Sequence, residues 1–216
     1  GRTDSTGFSA FADTSFTFTV NPNPNVTFTS SAVPQIICEN EQVIFTASGA
    51  NIYEYYVNNI MVYGPTADAT YETDSLNNND EVYVIGFTND CPDTSNNFIF
   101  TVNPNPIVNL TNNSVNDSIC EAQSVTFSAA TATAYQFLVD GNPVTTLSNN
   151  NIYTTSTLTD GQIVSVVGES NGCQTESQGD TMNVSPQPNV TLSMNSDTVI
   201  CFNEEIIFNA SGANQY

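Results

Sequence analysis

Apolar and polar residues alternate along most of the chain, and this alternation predicts β-strands. Val125, Phe127 and Ala129 would face one side of a strand, while polar residues between them face the other. A period of two marks a half-buried strand, and no helical periodicity competes with it. Equivalent apolar faces occur at Val43, Phe45 and Ala47; Ile206, Phe208 and Ala210; Tyr53, Tyr55 and Val57; Tyr135, Phe137 and Val139; Val82 and Val84; Val164 and Val166; Phe98, Phe100 and Val102; and Phe16, Phe18 and Val20.

The pattern repeats along the chain with a step of 82 residues. The segment Val-Asn-Pro-Asn-Pro at 20–24 recurs at 102–106 and returns as Val-Ser-Pro-Gln-Pro at 184–188. The cysteines keep nearly the same step, at Cys38, Cys120 and Cys201 for one position of the repeat and at Cys91 and Cys173 for the other. A repeat of this length indicates a tandem array of small domains.

The register of the repeat predicts where each domain begins and ends. Residues 25–106 and 107–188 are two complete repeats, whereas 1–24 match only the end of a repeat and 189–216 only a beginning. We therefore expect the sequence to be a window from a longer array.

Each complete repeat has room for about seven short strands, which is the size of an immunoglobulin-like β-sandwich. Asn58-Asn59 and Asp140-Gly141 supply the positive φ of a tight hairpin after one of these strands. The alternating prolines between repeats favour polyproline II, so we expect short, semi-rigid spacers and a beaded rod. The predicted fold class is all-β, with tandem immunoglobulin-like repeats of about 82 residues.

The charge balance excludes several classes of function. The 216 residues include 22 Asp and Glu, one Lys or Arg and no His, for a net charge of −21. A single cation, Arg2, cannot bind a nucleic-acid backbone or an anionic lipid surface. Catalysis by histidine or lysine has no residues to use, so we predict neither an enzyme nor a cofactor. No apolar run approaches the roughly 18 residues of a membrane span, so no membrane insertion is expected.

The recurring cysteines predict disulfides and an oxidising, extracellular location, because no histidine is present to share a metal site. Pairing within each repeat would join Cys38 to Cys91 and Cys120 to Cys173. In immunoglobulin topology, however, these positions tend towards opposite ends of the sandwich. Bonds between adjacent repeats, for example Cys38 with Cys173, are the alternative.

The repeat resembles a known type of domain. Ile-Cys-Glu-x-x-x-Val-x-Phe-x-Ala at 37–47, followed by an aromatic strand, Val-x-Gly, a cysteine and Val-Asn-Pro-x-Pro, resembles tandem Ig-like or PKD-like repeats. Such repeats occur in giant cell-surface adhesins of Bacteroidota. The resemblance implies export by type IX secretion and a role in gliding motility or attachment. The first partial repeat departs from the pattern, with Ser9 where the other repeats have cysteine.

The sequence contains three kinds of candidate site. Asp-Ser/Thr-apolar triplets resemble the O-glycosylation signal of Bacteroidota, although polar turn residues also cluster between strands. Asn79-Asp80-Glu81 and Asp160-Gly161 could bind calcium, but Asn, Asp and Gly are also favoured in turns for backbone reasons. Tyr53, Tyr55, Tyr135 and Phe137 could stack sugars, but their alternation favours the core. The candidate glycosylation residues are Ser75, Ser118, Thr181 and Thr198.

The predicted function is a structural stalk in a long extracellular adhesin or fibre at the bacterial cell surface. Its expected partners are neighbouring repeats of the same chain, with surface glycans or other cell-surface proteins as further candidates. The alternatives are a ligand-binding module for a glycan or calcium, and an appendage of a secreted enzyme.

The composition predicts resistance to trypsin even when the chain is unfolded. Trypsin needs Lys or Arg at the cleavage point, and after Arg2 the chain has none. After reduction and denaturation, trypsin should leave residues 3–216 intact by mass spectrometry. Chymotrypsin should fragment the same sample, because 13 Phe and 9 Tyr are present. Tryptic fragmentation of the unfolded chain would contradict the prediction.

Overall fold

A computed structural model describes residues 16–195 and 199–215. The chain divides into two compact units, Gly1–Val102 and Asn103–Tyr216. All regular secondary structure in the described residues is β-strand.

The described residues of the first unit form ten strands, arranged in two sheets and a separate parallel pair. One sheet has the order β1-β3-β6, and the other has the order β5-β4-β7-β8 with β9 also paired to β7. The parallel pair joins β2 to β10, the last strand of the unit. The strands are β1 Thr27–Ser30, β2 Ile36–Cys38, β3 Val43–Ser48, β4 Ile52–Val57, β5 Ile60–Thr66, β6 Thr70–Thr73, β7 Glu81–Thr88, β8 Cys91–Thr94, β9 Phe98–Ile99 and β10 Thr101–Asn103.

The second unit repeats this topology. Its sheets have the orders β11-β13-β16 and β15-β14-β17-β18, with β19 on β17 and the pair β12-β20. The strands are β11 Asn109–Asn112, β12 Ser118–Cys120, β13 Val125–Ala130, β14 Ala134–Val139, β15 Asn142–Pro143, β16 Ile152–Thr155, β17 Ile163–Ser170, β18 Cys173–Glu176, β19 Asp180–Thr181, β20 Asn183–Ser185, β21 Thr191–Met194 and β22 Phe208–Ser211.

The strand bounds confirm the 82-residue register. Each strand from β1 to β10 begins 82 residues before its counterpart in the second unit, and all but one pair also end 82 residues apart. The exception is the edge strand that follows the first hairpin, where β5 has seven residues and β15 has two. Both units are immunoglobulin-like sandwiches built on one plan.

The core of each unit is the apolar layer between its two sheets. Phe45 and Phe127 occupy equivalent places in this layer, and both are fully buried. Each pairs across its sheet with a tyrosine, Phe45 with Tyr71 and Phe127 with Tyr153. The predicted inward faces of these central strands are therefore confirmed.

Tight turns with positive φ close the first hairpin of each complete repeat. Asn58 and Asn59 have φ of 50° and 65°, and Asp140 and Gly141 have φ of 51° and 73°. Positive φ at both central residues gives the type I′ turn that matches the right-handed twist of a hairpin. The turn predicted from these dipeptides is confirmed.

The described residues of the partial repeats form less structure than their sequences predict. The hairpin of β21 and β22 keeps the register of β1 with β3, but Phe208 is 61% exposed because no second sheet of its repeat covers it. Phe16, Phe18 and Val20 are also exposed and lie in no strand. The alternation of apolar and polar residues specifies which side chains share one face of a strand. That face becomes buried only when the second sheet of the sandwich covers it.

The two complete repeats have different residues at one backbone position with positive φ. Gly49, at the end of the β3 segment, has φ of 92°, and a Cβ there would lie 1.9 Å from the carbonyl oxygen of Asn25. The counterpart in the second repeat is Thr131, which has φ of 79°. Positive φ is strained for a β-branched residue, at a cost of roughly 1–3 kcal/mol.

Replacing Thr131 by glycine should therefore stabilise the second repeat. Relief of the strained φ outweighs the extra freedom of glycine in the unfolded chain, for a net gain of about 1 kcal/mol. Hydrogen exchange of the β11 and β13 amides measures the stability of the second repeat separately from the first.

The matched change is Gly49→Thr, which should destabilise the first repeat, since its Cβ collides with the backbone of Asn25. Thr131→Ala keeps a Cβ and should give little of the gain. Equal exchange rates in Thr131→Gly and the parent chain would contradict the assignment of strain to this residue.

Candidate functional site

The turn between β7 and β8 holds the linker that enters the first complete repeat. Asn21 donates a hydrogen bond from Nδ2 to the carbonyl oxygen of Asn89 at 3.4 Å. The Cys91 thiol lies 3.7 Å from the carbonyl oxygen of Asn21 and donates to it. We call this end of a repeat its entry end.

The second repeat contacts its own linker at the equivalent positions. Asn103 Nδ2 donates to the carbonyl oxygen of Asn171 at 3.0 Å, and Cys173 Sγ lies 3.8 Å from the carbonyl oxygen of Asn103. The first asparagine of each linker is therefore fixed to the repeat that follows it, beside a cysteine.

The other cysteine of a repeat lies at the opposite end, where the chain leaves. In the second repeat β12 runs parallel to β20, and Cys120 lies opposite Ser185. Glu121 N donates to the carbonyl oxygen of Ser185 at 2.8 Å, and Gln187 Nε2 donates to that of Glu121 at 2.8 Å. This exit end fixes the beginning of the next linker, as the pair of β2 and β10 does in the first repeat.

The two ends are too far apart for a disulfide within one repeat. Cys173 lies opposite Ser170, the last residue of β17, and Thr181 lies opposite Ile163, its first residue. The seven steps from Ile163 to Ser170, at about 3.4 Å each, span roughly 24 Å. Disulfide-bonded residues have Cα atoms within about 7 Å of each other. Cys120 lies opposite Ser185, further along the chain than Thr181.

The oxidation states agree with this geometry. Cys38 and Cys173 are disulfide-bonded, whereas Cys91, Cys120 and Cys201 are free thiols. The preferred pairing of Cys38 with Cys91 and of Cys120 with Cys173 is therefore wrong.

The aromatic residues considered as a sugar platform lie in the core. Tyr53, Tyr55, Tyr135 and Phe137 are all buried. The Tyr53 hydroxyl donates to the carbonyl oxygen of Ala50 at 2.7 Å and accepts from its N–H at 3.1 Å. Core packing is confirmed for these side chains.

The turn carboxylates accept hydrogen bonds from neighbouring protein groups. Asp80 is buried, and its two oxygens accept from Asn58 Nδ2 at 2.7 Å and from Asn77 N at 2.8 Å. Asp160 Oδ1 accepts from Val184 N at 2.9 Å. These bonds favour the turn interpretation. Among residues 16–195 and 199–215, no group of three or more His, Cys, Asp or Glu is placed to hold a metal ion.

Three candidate glycosylation residues lie on the surface. Ser75, Ser118 and Thr181 are exposed, and each precedes a buried apolar residue. Thr198 lies outside the described residues. Strand alternation alone would produce the same exposed-then-buried pattern, so exposure shows accessibility and not modification.

The structure also shows a contact that sequence reasoning did not identify. Tyr56 and Tyr83 stack on the outer face of the second sheet, with ring centroids 5.1 Å apart and planes within 2°. Their hydroxyls donate to Glu54 Oε2 at 2.8 Å and Asn59 Oδ1 at 3.2 Å. Periodicity placed these tyrosines opposite the core, but it could not show that they are cross-strand neighbours.

No family model and no curated protein matches the sequence. Among solved structures, murine CEACAM1b is 14% identical, with a TM-score of 0.34, over 74% of this chain and 100% of that one. The tandem Ig repeats of Dlar are 9% identical, with a TM-score of 0.31, over 76% and 99% of the two chains. The ICAM-5 D1–D4 ectodomain fragment is 14% identical, with a TM-score of 0.41, over 77% and 48%.

The fold and the cysteine sites together define the protein as a chain of tandem immunoglobulin-like repeats. Within the described ranges, no helix is long and apolar enough to cross a membrane.

One buried phenol distinguishes the core of the first repeat. Burial is the main cause that raises the pKa of Tyr55 to about 12, with further contributions from Tyr53, Tyr63 and Asp68. The counterpart of Tyr55 in the second repeat is Phe137, which cannot ionise.

The first repeat should therefore lose stability in alkali. The folded state holds the Tyr55 proton above pH 10, where the unfolded state releases it. Stability is full below pH 10 and falls as the pH rises towards 12, by about 1 kcal/mol at pH 11. Denaturant unfolding of the parent chain and of Tyr55→Phe between pH 8.5 and 11 measures the difference.

Tyr55→Phe should abolish this part of the alkaline loss, although it also removes the hydrogen bond from the phenol to the carbonyl oxygen of Asp68. The second repeat is the internal control. An equal loss between pH 8.5 and 11 in parent and variant would show that Tyr55 does not ionise in this way.

Proposed function

We propose that this chain is a segment of the structural stalk of a long extracellular bacterial adhesin or fibre, which projects a binding region from the cell. Residues 25–106 and 107–188 are its complete repeats, and 1–24 and 189–216 belong to the neighbouring ones. In this proposal the repeats form a beaded rod.

The repeated anchoring of the linker carries this proposal. Asn21 and Asn103 make the same side-chain hydrogen bond to the turn of the repeat that follows. A linker tied to the next domain and stiffened by alternating prolines suits a spacer that must hold its length. The proline spacing and the anchoring bond recur together, as a stalk built from interchangeable repeats requires.

The surface chemistry supports an exposed, non-enzymatic role. The chain carries a net charge of −21, which limits lateral sticking of neighbouring rods over about 8–10 Å in physiological salt. The two oxidised cysteines suit an extracellular compartment. The resemblance to adhesin repeats of Bacteroidota adds attachment at the cell surface and type IX secretion to the proposal.

Surface glycosylation is a further part of the proposal. Ser75, Ser118 and Thr181 are accessible, and each stands in an Asp-Ser/Thr-apolar triplet. Glycans at these positions would shield a protein that is exposed to proteases. The fold does not depend on them, since each hydroxyl residue faces solvent.

A second candidate function is a ligand-binding module, favoured by one difference between the repeats. In the first repeat, β5 extends from Ile60 to Thr66, and Ile60, Met61, Val62 and Tyr63 are exposed on this edge strand. In the second repeat, β15 comprises only Asn142 and Pro143. A glycan or a protein partner that bound beside β5 would make the first repeat functionally distinct.

Deletion of one complete repeat from the full-length protein in its native host separates the two candidates. Removing residues 25–106 or 107–188 preserves the phase of the repeat, because each deletion spans one full period. The stalk proposal expects normal display and attachment of cells in either deletion, with the binding region brought closer to the cell. Antibody labelling measures display, and adhesion to a surface measures attachment.

The two deletions serve as controls for each other. Lost attachment with normal display in the deletion of 25–106 alone would support binding by the first repeat and contradict the stalk proposal. Lost display in both would contradict the expectation that repeats are interchangeable.

A further inference from the structure

The strand β5 is an open edge of the first repeat. It ends the order β5-β4-β7-β8, so its outer side pairs with no strand within the described sheet. None of its seven residues is charged, and Ile60, Met61 and Val62 are exposed. A long, apolar edge strand is a template on which a strand of another chain can pair.

The second repeat protects the same edge. Its β15 consists of Asn142 and Pro143 alone, and proline has no N–H to donate to an added strand. Short edge strands and proline are two devices by which proteins prevent pairing at an edge. The other strands of the two complete repeats match in length, so the difference between the repeats is concentrated at this edge.

A cavity of about 250 Å³ opens beside β5. Ile60 and Val62 line it from β5, and Tyr71 and Leu76 supply further apolar walls. Among the described residues of its lining, only Asp80 is charged. The cavity therefore suits a long side chain with an apolar stem and a cationic head, because the stem can pack along the walls while the head reaches the carboxylate.

The carboxylate of Asp80 is buried among neutral donors. The residue is 8% exposed, and its oxygens accept from Asn58 Nδ2 at 2.7 Å and from Asn77 N at 2.8 Å. Residues 16–195 and 199–215 contain no Lys or Arg that could lie beside it. Buried charges in proteins are normally paired with an opposite charge, so a partner that supplied a cation would complete this site.

The second repeat has the acid and the amide of this contact exchanged. Asp140 stands where the first repeat has Asn58, and Gln162 stands where it has Asp80. Gln162 Nε2 donates to Asp140 Oδ2 at 3.0 Å, so the contact is kept, but the carboxylate belongs to an exposed residue of the hairpin turn. The first repeat thus combines a long edge strand with a buried carboxylate, and the second has neither at the equivalent positions.

We propose that β5 and the cavity beside it bind an extended segment of another protein, which adds to β5 as a strand and places a Lys or Arg side chain beside Asp80. Main-chain hydrogen bonds to β5 supply affinity, and the cavity supplies specificity. This inference rests on the second candidate function, the ligand-binding module, and names its class of partner.

Charge favours a basic partner over a second copy of this chain. Each chain has a net charge of −21, so two copies repel each other at close range, whereas a basic segment is attracted. The described residues of a second copy also have no Lys or Arg with which to reach Asp80.

Two matched peptide libraries test the proposal on the purified chain. Each displays peptides of seven residues, the length of β5, with Arg at the centre of one library and Gln at the centre of the other. The remaining positions are random but exclude Lys and Arg. The Arg-centred library should yield binders and the Gln-centred library should not. No enrichment from the Arg-centred library, or equal enrichment from both, would overturn the proposal.

The exchanged pair of the second repeat supplies a variant that keeps the net charge. Asn58→Asp combined with Asp80→Gln copies Asp140 and Gln162, whose contact this fold already accommodates. The double variant should weaken binding of the selected peptides by about 30-fold or more, since one member of a buried charge pair is lost. Equal binding by the variant and the parent chain would show only general attraction to an acidic protein and would overturn the proposal.

Val62→Lys tests the edge, and Val144→Lys is its matched control. Val62 and its counterpart Val144 are both 43% exposed, so each substitution adds one positive charge at the surface. The lysine introduced at Val62 reaches the cavity and pairs with Asp80 itself, so this variant should lose peptide binding. Val144→Lys should bind as the parent does. Binding that survives Val62→Lys would overturn the proposal.

Hydrogen exchange and sedimentation identify the mode of binding. A selected peptide should slow exchange of β5 amides in the parent chain, because an added strand pairs with them. Peptide binding that leaves β5 exchange unchanged would overturn strand addition. A dimer of the parent chain that Val62→Lys dissociates would assign the edge to a second copy and overturn the basic partner.

Two points keep a failure interpretable. Unchanged circular dichroism of each variant shows that the repeats are folded. The deletion experiment measures display and attachment in cells and uses no peptide, so failure of peptide binding leaves the stalk proposal standing, and failure of the stalk proposal leaves peptide binding to be measured.

Discussion

The structure depends on the apolar layer between the two sheets of each repeat. The described residues contain no Lys or Arg, so ion pairs with basic side chains cannot hold the fold together. Burial of Phe45 and Phe127 with their aromatic neighbours must supply most of the stabilisation, at roughly 25 cal/mol per Å² of apolar surface. The buried carboxylate of Asp80 is compensated by hydrogen bonds that it accepts from neighbouring N–H groups.

Geometry excludes a disulfide between the two cysteines of one repeat. The strand β17 separates Cys173 from the exit end by roughly 24 Å, which no disulfide can span.

The two complete repeats show which positions the fold constrains. At a core position, Tyr55 in the first repeat becomes Phe137 in the second with no change of strand bounds. A turn position tolerates exchange of an amide for a carboxylate: Asn58 and Asp140 each accept the N–H that begins the next long strand. The edge strand after the hairpin varies most, since its outer side has no partner within the described sheet.

The sequence alone determined the fold class, the 82-residue period and the inward faces of the central strands, because these follow from local alternation and from identity between repeats. It did not decide the pairing of the cysteines. The two cysteines of each complete repeat are separated by the same number of residues, so spacing alone does not select a pairing. The end of the sandwich that each cysteine occupies depends on how β2 and β10 pair.

Burial in the partial repeats was also decided by tertiary structure. Phe208 has the same alternation as Phe45, yet it is exposed, since a strand face becomes core only when an opposing sheet covers it. A local pattern can specify which side chains point the same way. Only the assembled sandwich determines what they meet, and which cysteines lie near enough to bond.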